Sequence, residues 1–392
     1  MTTARTTSWP LRAGAVAALL LSACAPVTSR ADATPPRPAA DWAAVTQAAD
    51  GQTVRWWMYG GDERANRYVD EHVAPAAAQL GVTLERVPVA DTADAVQRVI
   101  AEQRAGREAG GVDLVWVNGV NFALGKEADT WLTGWTQDLP RAHLLDPDDP
   151  ALITDFGVAV QGQELPWSRA AFVFAYDTER IARPPTSFDE LLEFARQHPG
   201  RFTYPAPPDF TGSAFVRQAV ASLGEDRAID LLDELKPLQW RKGEAFPGSE
   251  AELNQLFGDG QVDIAMSYDP AFVAAGERQG VFPPSTRPFV LEDGTLQNTS
   301  FVAIPAIAAN RNAALVVADL LLDPALQAVK ADHDVWGMPT VLDPDRVPAD
   351  SRASLDNATG PHVLSDLGRP VTELPVDDVA RIARRWKSEV LP

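Results

Sequence analysis

Residues 53–60 read Thr-Val-Arg-Trp-Trp-Met-Tyr-Gly (TVRWWMYG). Near-continuous apolarity with aromatic and β-branched side chains predicts a strand buried on both faces. Gly60-Gly61-Asp62 then predicts a turn. Working outward, residues 62–80 read as a helix and 82–89 as a second strand. Residues 91–109 place Val96, Val99, Ile100 and Gln103 at helical spacing, and VDLVWVN at 112–118 is a third strand. Three successive strand-and-helix units predict an α/β fold built on a mostly parallel sheet.

A second series follows residue 156. AAFVFAY (170–176) is extended, and Ser187-Phe188-Asp189-Glu190 is a capping box opening a helix with Phe188, Leu191, Leu192 and Ala195 as its buried stripe. Residues 201–205 read as a short strand and 212–223 as a helix. Ala228, Leu231, Leu232 and Leu235 mark another helix. Ser249-Glu250-Ala251-Glu252 is a second capping box, and VDIAMSY (262–268) a further buried strand. Residues 287–305 are extended, 313–322 helix-like, and Pro375-Val376-Asp377-Asp378 opens a last helix.

The N-terminal residues point to export. Arg5 and Arg12 precede a short apolar run, 13–21, that would span only ~14 Å as a helix against a ~30 Å hydrocarbon core. It therefore reads as a signal peptide, 1–23, and not as a membrane span. Cys24 is the only cysteine among 392 residues, which excludes disulfide frameworks and multi-thiolate metal sites. Leu-Ser-Ala-Cys resembles the lipobox of bacterial lipoproteins, so lipidation of Cys24 is expected. Residues 24–52, with their Pro, Ala and Thr, are expected to form a flexible tether.

The remaining ~340 residues exceed what one core usually organises and predict two lobes. The expected bounds are 53–165 with about 290–345 for lobe 1, and 166–289 with about 346–392 for lobe 2. The formal charge of −20 argues against a nucleic-acid partner.

Enzyme signatures are scarce, with no G-x-S-x-G, H-E-x-x-H, P-loop or dinucleotide fingerprint. The five histidines show no ligand spacing, so neither a metal nor a cofactor is expected. Interest falls instead on strand ends, where ligands of open α/β sheets bind. Trp57 to Asp62, Trp116 to Asn121, and Ser267-Tyr268-Asp269-Pro270 each set an aromatic beside Asn or Asp. Trp56 and Trp57 point to opposite faces, so both cannot serve one site, and each alternatively packs under a helix. YPAPPDFTGS (204–213) runs a proline-rich loop into a helix N-terminus. It is either a receptor for polar groups or a turn capped by Thr211 or Ser213. Trp167 is either a cleft wall or a core residue. The expected ligand-binding set is Tyr59, Asp62, Asn118, Asn121, Trp167, Tyr204, Asp209, Ser213, Tyr268 and Asp269.

WWMYGGDERANRYVDEHVAP, LERVPVADTADAV, VDLVWVNGVNF and RFTYPAPPDFTGSAFVRQ resemble the YnjB-type group of ABC-transporter solute-binding proteins. The resemblance implies a two-lobed type II periplasmic-binding-protein fold with a ligand cleft at the hinge and two or three crossovers. It also implies an ABC permease and its ATPase as partners, with a monomeric binder that performs no chemistry. Aromatics beside carboxylates favour an organic cation, thiamine-like or polyamine-like. A carbohydrate is the alternative ligand, and a secreted hydrolase or a surface scaffold the alternative class. Five scattered tyrosines argue against ferric iron.

Overall fold

The computed structural model of the chain describes residues 42–355, 362–364 and 366–391. The signal segment, Cys24 and the tether through residue 41 lie outside the described residues. Residues 42–52 depart from the tether expectation. Trp42–Ala49 is a helix whose Val45 and Ala49, one turn apart, are buried, and the helix packs on another at Arg311–Leu320.

The strands in chain order are β1 (Thr53–Tyr59), β2 (Thr83–Val89), β3 (Leu114–Val117), β4 (Thr154–Asp155), β5 (Val158–Ala159), β6 (Glu164–Ala171), β7 (Val173–Asp177), β8 (Ile264–Ser267), β9 (Thr286–Phe289), β10 (Thr295–Ala303) and β11 (Pro370–Thr372). A six-stranded sheet runs β11-β10-β3-β1-β2, with β6 on the other edge of β10. Pairing of β1 with β2 and β3 is parallel, as expected, but β10 enters antiparallel to both β3 and β6. The sheet is therefore mixed. A second sheet, β8-β7-β9, is antiparallel throughout.

The opening strand is buried less evenly than its composition predicts. Val54, Trp56 and Met58 are fully buried, while Arg55 and Tyr59 are exposed. Trp57 is half-covered by helix Thr92–Arg104, whose Arg98 guanidinium lies 5.1 Å from the ring centroid. Both tryptophans thus pack, one in the core and one beneath a helix.

Two adjacent strand passages connect the sheets. Between β6 and β7 lies only Phe172, whose amide donates to Leu296 O at 2.8 Å. Residues 290–294 return from β9 to β10 beside it. Helix Phe210–Leu223 braces this crossing. The Gln218 amide donates to Gly294 O, and its oxygen accepts from Leu296 N at 2.6 Å. Strand β6 pairs with β10 along residues 164–171, so the expected lobe boundary at 166 falls inside a first-sheet strand.

The two capping signals translated directly. Ser187 and Ser249 cap their helices by accepting from Glu190 N (3.1 Å) and Glu252 N (3.2 Å). Glu190 and Glu252 reach back one residue further than a standard box, to Thr186 N and Gly248 N. Residues 201–205, expected as a strand, make no ladder. Their carbonyls accept singly from Asp263 N and Trp240 N, both at 2.8 Å. Among the described residues no single helix is long and apolar enough to cross a membrane.

Candidate functional site

The residues that follow the carboxyl end of β1 meet the segment that follows β8. Asp62 caps helix Glu63–Tyr68, accepting from Arg64 N at 2.9 Å and Ala65 N at 3.2 Å. Its second oxygen accepts from Trp336 Nε1 at 2.9 Å. Arg64, on the first turn of that helix, donates to Trp336 O at 3.1 Å and forms an ion pair with Asp269, which follows β8. The two lobes are thereby joined by side chains of opposite charge, 14% and 17% exposed.

A second junction lies deeper. Arg217 and Glu373 form a bidentate ion pair, and Tyr268 donates its hydroxyl to the same carboxylate at 2.9 Å. The guanidinium lies 5.6 Å from the ring centroid of Phe156 and 5.8 Å from that of Phe210, in the range of cation–π attraction. Burial works against the charge of Arg217, and Glu373 overrides it, so the group stays firmly protonated.

Phe156 reaches this place at a backbone cost. It turns the β4–β5 hairpin with φ 44°, followed by Gly157 at 78°. A bulky residue at positive φ is strained unless its surroundings hold it. Here they do: Phe156 O accepts from Val376 N at 3.1 Å, and the ring lies on Gly119. Gly119 itself has φ 58°, and a Cβ there would stand 3.2 Å from the Phe156 ring. Its amide donates to Asp155, whose other oxygen is buried with no partner among the described residues. Burial and the charge of Glu373 push the Asp155 carboxyl up to about 8, against the pull of the Gly119 amide.

Carboxylates outnumber guanidinium groups around these junctions. Asp269, Asp62 and Glu250 all act on Arg64. Glu250 accepts from the Thr211 hydroxyl, and burial pushes its carboxyl up to about 7. Burial likewise raises Asp269, opposed by Arg64. Among the described residues no three His, Cys, Asp or Glu side chains could hold a metal ion together.

The residues singled out by sequence separate into three groups. Tyr59 (46% exposed), Asp62, Tyr268 and Asp269 stand at facing strand ends, the last two within the junctions. Asn118, Asn121, Asp209 and Ser213 are half-buried and lie beside them with local duties. Asn118 donates to Thr299 O, and its carbonyl accepts from Asn121 N at 3.2 Å. Asp209, rather than Thr211 or Ser213, caps helix Phe210–Leu223, accepting from Gly212 N at 2.9 Å. Ser213 N completes the first turn to Asp209 O.

Trp167 and Tyr204 form the third group, and the structure moves both into the core. Trp167 is fully buried among Trp56, Trp116 and Trp336, with ring centroids 5.3, 5.1 and 5.2 Å away. Tyr204 stacks on Phe215 at 4.6 Å, and its hydroxyl accepts from Trp386 Nε1 at 2.9 Å. Its ring and hydroxyl are both engaged inside the second lobe.

Arg64, Phe156, Phe210, Arg217, Trp336 and Glu373 were not foreseen. Arg217 alone left a trace in sequence. It is a charge in the middle of an otherwise uncharged helix, FTGSAFVRQAVASL, and such a residue must find a buried partner.

Two lobes joined by strand crossings, with polar and aromatic side chains meeting between them, define a type II solute-binding architecture. The model of the bacterial extracellular solute-binding protein family matches residues 71–351, and the chain belongs to that family. It is 40% identical over 338 residues to Protein YnjB of Escherichia coli (strain K12), covering 81% of this chain and 87% of that one. Its fold is similar to that of a periplasmic thiamin binding protein, with TM-score 0.60 at 18% identity over 86% of this chain and 96% of the other. A Bordetella ferric binding protein is comparable, with TM-score 0.61 at 16% identity over 86% and 98%. The chain is thus the extracytoplasmic solute-binding component of an ABC transporter, working with a permease.

Proposed function

We propose that the cargo is a small organic cation, captured between the lobes and released unchanged to the permease. The observation that carries this reading is the charge balance at the lobe junction. Arg64 faces Asp62 and Asp269, Glu250 adds its charge as it ionises at about pH 7, and Arg217 is already neutralised by Glu373. An incoming cation offsets the remaining negative charge, whereas an incoming anion would add to it. Tyr59, whose ring lies over Gly61, and Phe210, whose ring centroid is 5.4 Å from that of Tyr268, are 46% and 56% exposed. Both offer ring faces to a cation, an attraction of about 2 kcal/mol when desolvated. The ligand-contacting residues in this proposal are Tyr59, Asp62, Phe210, Tyr268 and Asp269, with Asn118, Asn121, Asp209 and Ser213 around them. Export and attachment through lipidated Cys24 complete the reading and would keep the binder near its permease.

The ligand must favour the closed arrangement, or binding would not signal occupancy. The test is gentle purification with mass spectrometry of retained molecules, followed by calorimetric titration with thiamine, spermidine and maltose. One-to-one binding of a cation, lost in Asp269→Asn, is expected. Binding of maltose alone would move the assignment to carbohydrate, and turnover of any ligand would move it to an enzyme.

A further inference from the structure

We infer that Arg64 is a built-in competitor of the cargo. Its guanidinium joins the lobes by occupying the carboxylates that a cationic cargo would use, and the cargo must displace it to bind. This inference rests on the cation reading above.

Three observations meet at this side chain. First, Arg64 comes from the first lobe and Asp269 from the second, so their ion pair is itself a closing contact that needs no third component. Second, the seat is shaped for a cation with several donors. The Asp269 carboxylate and the Trp336 carbonyl accept from different guanidinium nitrogens, and Asp62 lies 3.9 Å from Nε. Glu250 also acts on the guanidinium, more strongly as it ionises at about pH 7. Third, the supports of the seat do not depend on the Arg64 side chain. Asp62 is fixed by Arg64 N, Ala65 N and the Trp336 indole. Asp269 is fixed by Ala271 N at 2.8 Å. Withdrawing the side chain therefore leaves a formed anionic subsite and not a collapsed one.

The energetic reasoning follows from linkage. A contact present only in the cargo-free closed form stabilises that form and subtracts from apparent affinity by the same amount. Arg64 thus sets a threshold. A solute without a cationic group has nothing to exchange for the lost ion pair, so neutral analogues are rejected even if they fit by shape. The discrimination arises from an internal ligand and not from a steric wall.

The test uses Arg64→Ala in the full mature chain, with Arg64→Lys beside it. In small-angle scattering without ligand, Arg64→Ala is expected to have a larger radius of gyration than the native protein, with Arg64→Lys between them. An unchanged radius would overturn the closing role. In calorimetry, spermidine or thiamine is expected to bind Arg64→Ala more tightly, on the order of tenfold. Weaker or equal binding would overturn the competition and make Arg64 a cargo contact. If Arg64→Ala folds poorly, Arg64→Gln serves the same two measurements, because much of the aliphatic stem and a polar end are kept while the charge is removed. The scattering arm needs no ligand, so failure of the cation reading is separable. It would show as no cation binding in any variant while the expansion persists.

Discussion

Arg217 and Glu373 meet through two charge-assisted hydrogen bonds, Nε to Oε2 at 2.7 Å and Nη2 to Oε1 at 2.9 Å, with side chains 5% and 4% exposed. The pair ties helix Phe210–Leu223 to the segment after β11, 156 residues away in sequence. A buried pair of this kind adds little over apolar replacement, but breaking it strands a charge. Arg217→Met or Glu373→Gln alone should each cost about 3–5 kcal/mol, while Arg217→Met with Glu373→Leu should recover most of the loss. Urea denaturation measures this. A single variant within about 0.5 kcal/mol of native would mean the pair is not buried in solution.

Cargo affinity should depend on pH through Glu250. Its carboxyl sits at about 7 because burial resists its charge. As pH rises through that value it ionises beside Asp269, adding negative charge to the cleft. Affinity for spermidine is expected to rise a few-fold between about pH 6 and pH 8. Glu250→Gln should flatten the profile in calorimetry. Affinity that falls over the same range would indicate an anionic cargo.

Stability should decline over part of the same range through Asp155. The unfolded chain loses this proton near 3.8, the folded chain only near 8. The folded state therefore binds more protons across that window, and stability falls as pH rises through it. Asp155→Asn keeps an acceptor for the Gly119 amide and should remove that part of the slope. Thermal melts at about pH 5 and pH 8 report it, with the variant gaining most at the higher value. Parallel slopes for native and variant would contradict the account.

Lys330 should be a destabilising residue. It is fully buried and, among the described residues, donates to Trp167 O and Gln327 Oε1, with burial holding its ammonium well below its ordinary range. Both acceptors have other donors: Gln327 Nε2 reaches Trp167 O, and the Thr340 hydroxyl reaches Gln327 Oε1. The unfolded chain stays protonated up to about 10.5, so native stability is lost as pH falls below that value. Lys330→Met should be more stable at neutral pH by on the order of 1 kcal/mol or more, the gain shrinking towards alkaline pH. A lower melting temperature at pH 7 would assign the ammonium a structural role.

Most strands and helices and the two serine caps were legible in the sequence because their causes are local, whereas the strand expected at 201–205 was not formed. The apolar run of TVRWWMYG, the Ser187 and Ser249 caps and the Phe188-Leu191-Leu192-Ala195 stripe each act within a few residues. Sheet order was not legible, since the antiparallel entry of β10 between β3 and β6 depends on contacts more than a hundred residues apart. The same limit governs the site. Tyr268 and Asp269 stood out because they end a strand, but Arg64 lies 205 residues from its partner and carries no local signal. Tyr204 misled for the converse reason. Its proline-rich loop looked like a ligand loop, and only Phe215 and Trp386 reveal that it is an internal strut.

The tryptophans under the cleft have an optical consequence. Trp56, Trp116 and Trp336 each lie within 5.1–5.3 Å of Trp167, and Trp336 also touches Trp116 at 6.0 Å. Indoles this close share excited states, so their near-ultraviolet dichroism reports the cluster as one chromophore. Trp336 is also the residue whose carbonyl and indole hold Arg64 and Asp62. Any exchange at that seat perturbs the electronic coupling directly beneath it. The protein carries an intrinsic spectroscopic gauge of its own cleft, readable without a label.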